Sequence, residues 1–202
     1  MPRIAGQIDL VKTEAILNAA AAALAERGLA APLEDIARRA GVSKQTIYNH
    51  FGSKTELLRV LLARRVDAIT AVLDMPGAEA RPEEALASFA QVLLEGMVNP
   101  ATASFLRVIA LGAVEAPDLA LTFYQAGPRS SRARLAQFLE QETKAGRLQV
   151  PDPALAAEQF MGMVGGANQL AVILGLGPQL AQSDIRRVAG EAARRFVRAY
   201  AP

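Results

Sequence analysis

With 202 residues and 51% hydrophobic side chains, the chain can bury one sizeable core or two small ones. It has no cysteine, which excludes disulfide frameworks, thiol nucleophiles and thiolate metal sites and suits a reducing cytoplasm. Abundant alanine, no tryptophan and only 5% aromatics favour closely packed helices over sheets. The net charge of +2 is unevenly laid out: residues 1–65 carry ten Lys/Arg against six Asp/Glu, and residues 66–202 carry twelve against fourteen. The basic end is the one that phosphate binding requires.

In chain order, the first seven residues, with Arg3 and Gly6, read as a loose arm of the kind that frays or touches DNA. Ile16, Leu17, Ala20 and Leu24 share a face over 8–27, predicting a first helix that Gly28 ends. Pro32 suits the first position of the next helix. In the stretch 33–51, L-E-D-I-A-R-R-A-G-V-S-K-Q-T-I-Y-N-H-F, residues Leu33, Ile36, Ala37 and Ala40 recur at helical spacing. Gly41 follows where a left-handed cap wants glycine, and Val42 is expected to be buried between the two halves. Ser43 can accept from the free N–H groups of a second helix, 44–51. That helix turns Ile47 and Phe51 inward and presents Lys44, Gln45, Thr46, Tyr48, Asn49 and His50 outward. Two short helices around a glycine turn, the second studded with donors, make a helix-turn-helix.

Gly52 separates a fourth helix over 53–73, with Ser53 and Glu56 spaced as a capping box and Leu57, Leu58, Leu61 and Leu62 as its apolar side. Residues 75–81, M-P-G-A-E-A-R, read as a linker. Helices are then predicted over 82–97 and over 100–115, whose run F-L-R-V-I-A-L-G-A-V is apolar nearly all round and expected to be buried. A helix from Pro117 stops near Gly127-Pro128, and an amphipathic one covers 129–145. After the turn Pro151-Asp152-Pro153, the last two cover 154–174 and 182–199. The prediction is an all-α chain: an N-terminal helix-turn-helix three-helix domain over 1–52, completed by the start of the helix 53–73, and a C-terminal helical ligand-binding and dimerisation domain over 74–202. No run approaches the roughly 18 apolar residues of a membrane span, so no membrane partner is expected.

The segments A-I-L-N-A-A (15–20), E-R-G-L (26–29), D-I-A-R-R-A-G-V-S-K-Q-T-I-Y-N-H-F (35–51) and S-K-T-E-L-L (53–58) make residues 8–65 resemble the DNA-binding domain of the TetR family of transcriptional regulators. The resemblance implies base-edge contacts for Lys44, Gln45 and Asn49, and phosphate contacts for Thr46, Tyr48 and His50. Lys54 resembles the fourth-helix residue that meets the DNA backbone. Two departures stand out: Ala31-Pro32 replaces the Thr or Ser that usually caps the second helix, and Ala25 replaces a common phenylalanine. Residues 105–176, with F-L-R-V-I, A-P-D-L, F-Y-Q-A-G-P and D-P-x-L-A-A-E-Q-F-M-G, are similar to the regulatory domain of AefR-like members. That likeness implies that the last two helices meet their mates in a four-helix interface, nominating Phe160, Val164, Ala167, Leu170, Ala171, Ile185, Val188, Ala192 and Phe196.

Enzyme chemistry has few parts to work with. His50, the only histidine, lies in the helix that would face DNA, and no metal-ligand spacing, catalytic set, phosphate loop or cofactor motif is present. The glycines in M-G-M-V-G-G (161–166) fall inside a helix, where close helix approach or space for a ligand would offset their cost. Phe89, Leu93, Met97, Phe105, Ile109, Phe123, Tyr124, Phe138 and Met163 are the candidates for lining a pocket, with core packing as the plain alternative. Arg107, set in an apolar run, needs a partner: Glu115, Glu95 or a ligand carboxylate. The expected protein is a cytoplasmic, homodimeric regulator that binds a near-palindromic double-stranded operator. It would be a repressor released by a small apolar or amphipathic effector; the alternative is a ligand-independent architectural or scaffolding DNA-binding module.

Overall fold

Apolar residues at helical spacing form ten α-helices among the residues that the computed structural model describes, 5–28, 31–75, 81–176 and 180–202. They are α1 (Ala5–Arg27), α2 (Leu33–Ala40), α3 (Lys44–Phe51), α4 (Lys54–Thr70), α5 (Pro82–Val98), α6 (Pro100–Gly112), α7 (Pro117–Tyr124), α8 (Ser130–Lys144), α9 (Pro153–Ile173) and α10 (Gln182–Ala199). α1 begins at Ala5, so the last residues expected in the loose arm are helical; Met1 to Ile4 and Pro76 to Ala80 of the linker lie outside the described residues. Among the described residues no single helix is long and apolar enough to cross a membrane.

The apolar side chains sort into two clusters. One joins Ile16, Leu17, Ala20 and Leu24 of α1 to Ile36, Ala37, Ile47, Phe51, Leu57, Leu58 and Leu62. The other joins Leu86, Phe89 and Leu94 of α5 to Leu135, Phe138 and Leu139 of α8, Phe160 and Val164 of α9, and Ile185, Ala192 and Phe196 of α10. α4 serves both: its first turns pack in the first cluster, while Ile69 and the following 3-10 turn (Ala71–Leu73) pack in the second. Arg64 of α4 donates to Glu14 at 3.0 Å and Asn18 at 2.9 Å, and Arg134 of α8 donates to Asp67 at 2.9 Å. These bonds tie α4 to α1 on one side and to α8 on the other.

Several expectations change. α7 does not stop at Gly127-Pro128; Gln125–Arg129 forms a π-helical turn that runs into α8. A wider turn makes room for a proline that lacks an N–H and would collide with the carbonyl four residues back. Ser130 Oγ donates to the Gln125 carbonyl at 2.8 Å across that turn. The apolar run of α6 is not buried all round: Leu111 is 83% and Val114 91% exposed, and in α6 itself only Ala103 and Ile109 are buried. Arg107 bonds neither Glu115 nor Glu95. It donates to the Val172 carbonyl at the end of α9 (3.3 Å) and to Ser104 Oγ (3.1 Å).

The α9 glycines have separate roles. Gly166 takes φ 48° and ψ −141°, a break inside α9, while a Cβ on Gly165 would lie 3.4 Å from Met97 Cε.

Candidate nucleic-acid interface

α2 starts after Pro32, which is its N-cap instead of its first residue and offers no side-chain acceptor. Lys54, at the head of α4, reaches over and donates to the Ala31 carbonyl at 2.6 Å. Burial lowers the Lys54 ammonium below its ordinary value, with Glu34 acting in the opposite sense. α2 ends at Gly41, whose φ of 65° lets its N–H and that of Val42 close on Arg38 and Ala37. Val42 is half-buried against the first cluster instead of fully buried.

Ser43 then caps α3, accepting from the Thr46 N–H at 3.0 Å. The Ser43 and Thr46 hydroxyls are 2.8 Å apart, so Thr46 is engaged in the cap. Ile47 and Phe51 anchor α3 in the core and leave a polar face outward. On that face Gln45 Nε2 donates to Asn49 Oδ1 at 2.9 Å, fixing the two amides relative to each other. Tyr48 is exposed, with the Lys44 ammonium 5.9 Å from its ring centre. His50 is half-buried and turned to α1, its Nδ1 3.5 Å from Thr13 Oγ1. The Ser53–Glu56 capping box is half formed: Ser53 Oγ accepts from the Glu56 N–H at 3.1 Å, but the Glu56 carboxylate pairs with Arg59.

Charge is organised around α2. Asp35 is buried, where desolvation alone would raise its carboxyl; Arg38 and Arg39 donate to it and hold it below the ordinary carboxylate range. Arg39 also donates to Glu26 of α1 at 2.8 and 2.6 Å. Lys44 Nζ donates to Glu34 Oε1 at 2.5 Å, lowering the Glu34 carboxyl and raising the lysine. Glu34 is a residue that sequence reasoning missed. It lies ten positions before Lys44, and only the helix-turn-helix crossing brings the two together.

The nine pocket candidates do not gather around one space. Phe89 and Phe138 are in the second cluster, with Leu93 packed against it. Ile109 is buried in α6, and Met97 reaches Gly165. Phe105 and Phe123 meet edge to face at 5.6 Å and pack against the helix-turn-helix core. Tyr124 and Met163 are 46% and 44% exposed. A cavity of about 90 Å³ lies elsewhere, between Leu24, Ile36, Lys54, Leu58 and Leu119. A recess of about 50 Å³ borders Phe138, Thr70 and Arg134.

Of the nine dimer candidates, Phe160, Val164, Ile185, Ala192 and Phe196 are buried in the chain's own core. Phe160 meets Phe196 at 5.0 Å and Phe89 at 6.4 Å, because α9 and α10 turn these faces toward α5 and each other. Ala171 and Val188 are half-buried. Beyond the Gly166 break Ala167 and Leu170 are exposed, on a stripe with Leu174, while Leu155 and Met163 are exposed before it.

A capped, outward-facing second helix on a helix-turn-helix, followed by a helical bundle, defines an all-α DNA-binding regulator. Residues 16–61 match the model for bacterial regulatory proteins of the tetR family, and residues 84–202 match the C-terminal domain of AefR-like transcriptional repressors. The chain belongs to the TetR family of transcriptional regulators, a class without enzymatic activity. The flavonoid-responsive regulator FrrA is 34% identical, with 95% of this chain and 97% of that one aligned at a TM-score of 0.69. A TetR-family regulator from Mesorhizobium loti is 25% identical over 96% and 98% of the two chains, with a TM-score of 0.79. The repressor KstR2 of Mycobacterium tuberculosis is 41% identical over 88 residues, 43% of this chain, and the match spans 44% of that curated relative's length.

Proposed function

We propose that this regulator is a homodimeric, cytoplasmic repressor that binds a near-palindromic operator and leaves it when a small apolar or amphipathic ligand binds. Residues 1–52, completed by the start of α4, form the DNA-binding unit, and 74–202 the regulatory and dimerisation unit. The observation that carries the reading is the polar outer face of α3, held by the Ser43 cap on one end and the buried Ile47 and Phe51 beneath. In this reading Lys44, Gln45 and Asn49 contact base edges, while Ser43, Thr46, Tyr48, His50 and Lys54 contact the DNA backbone. One such helix spans few base pairs, so specificity requires two copies. Selection from a random duplex pool tests this: the enriched sequence should be an inverted repeat. Gln45→Ala should then change the preferred bases, whereas Tyr48→Phe should weaken all sequences evenly by about 1 kcal/mol. The reverse pattern would overturn the role assignment.

The effector half of the reading is supported by FrrA, a relative that responds to flavonoids. Ligand pockets for molecules of that size occupy about 300–1,000 Å³, more than the cavity of about 90 Å³ described above, so binding must open the helix packing. Such a ligand shifts DNA affinity only through different affinities for the two arrangements, commonly about 1–3 kcal/mol, and the effect is reciprocal. Calorimetric titration of a flavonoid into free protein and into the protein–DNA complex should give weaker binding to the complex. Equal affinities would rule that flavonoid out as inducer.

A further inference from the structure

Glu34 sits in the first turn of α2 with its carboxylate against the Lys44 ammonium at 2.5 Å, and both side chains are about half exposed on the outer surface. Lys54 is near enough to influence the same carboxylate. An acid among the lysines of a DNA-facing surface is a cost to phosphate binding, which draws its affinity from cations that replace counterions. Paired with Glu34, Lys44 is neutralised towards a bare phosphate backbone. A guanine edge offers more, since its O6 and N7 can both accept from an ammonium. Exposed pairs are weak and exchange readily, so a base edge of that kind can displace the carboxylate.

We propose that Glu34 is a specificity-determining residue: it holds Lys44 when DNA presents phosphates alone and releases it when a base edge accepts from it. The pair thereby penalises wrong sequences, a repulsive element set against non-specific DNA instead of an added attraction for the operator. The inference rests on the reading of α3 as the base-contacting helix.

Binding would be measured by fluorescence anisotropy on two DNAs, the duplex enriched from a random pool by the wild-type protein and poly(dA-dT), which has no O6–N7 acceptor pair in its major groove, over a range of salt. Glu34→Gln should tighten binding to poly(dA-dT) by about fivefold and steepen its log K against log salt slope by about 0.9, one further phosphate engaged. On the enriched duplex the change should stay under about twofold, so the specificity ratio falls. Glu34→Ala should act in the same direction, and in a Lys44→Ala background neither substitution should alter the poly(dA-dT) slope. Equal tightening on both DNAs, an unchanged slope, or the same effect with and without Lys44 would each overturn the proposal. If Lys44→Ala left binding to both DNAs unchanged, the reading of α3 itself would fall, and this inference with it.

Discussion

Asp35 is buried at the base of the DNA-facing surface yet stays ionised, because Arg38 and Arg39 donate to it from the next turn of the same helix. Its carboxyl is held low in the folded chain, so the stabilisation is complete above the ordinary carboxylate value of about 4 and is lost as pH falls through the depressed one. Asp35→Asn should therefore melt below the parent at neutral pH, and the gap should narrow as the pH falls below about 4, where the unfolded chain takes up the proton, and close once the folded parent is protonated too. A gap that held constant down to acid pH would show that the arginine pairing contributes nothing. Lys54 is the opposite case: the family likeness reads it as a DNA-backbone contact, and in the chain without DNA its ammonium donates to the Ala31 carbonyl at the uncapped start of α2.

At the scale of elements, α6 links the two clusters. Phe105 packs against the helix-turn-helix core, Arg107 reaches the end of α9, and Val108 lies over Gly28, where α1 ends. Gly28 has φ +60°, and a Cβ there would fall 2.9 Å from a Val108 methyl, so glycine is required on both counts. Gly28→Ala should cost about 1–2 kcal/mol from the left-handed backbone alone. The clash adds to that, and Val108→Ala should recover the clash part in a double-mutant cycle by chemical denaturation. Strict additivity would mean that α6 and α1 do not press on each other there.

For the whole molecule, the second cluster decides which surfaces remain for a partner. Phe160 is fully buried at the junction of α5, α9 and α10, so Phe160→Ala should cost about 3–5 kcal/mol of fold stability. Leu170, 60% exposed on the outer stripe of α9, contributes little to that core. Under the dimer proposed above, Leu170→Glu should give a folded monomer in light scattering with a nearly unchanged helical signal. If the dimer persisted, the α9 stripe would not be its seam.

Local pattern was sufficient for the turn, the cap and the inward face of the helix-turn-helix. The Gly41 turn, the Ser43 cap, the inward Ile47 and Phe51 and the limits of α3 and α10 follow from short-range rules, because hydrogen bonds between near neighbours enforce them. The C-terminal half was legible as helices but not as faces. An apolar residue at helical spacing says that a face is covered, not by what. Thus Val164 and Ile185 read as partner-facing and lie in the chain's own core, while Leu111 and Val114 read as core and lie in solvent. The π turn at Pro128, the Arg107 bond to α9 and the meeting of Glu34 with Lys44 likewise depended on which helices cross where. Crossing is set by the summed burial of both clusters, a long-range quantity that no window of sequence contains.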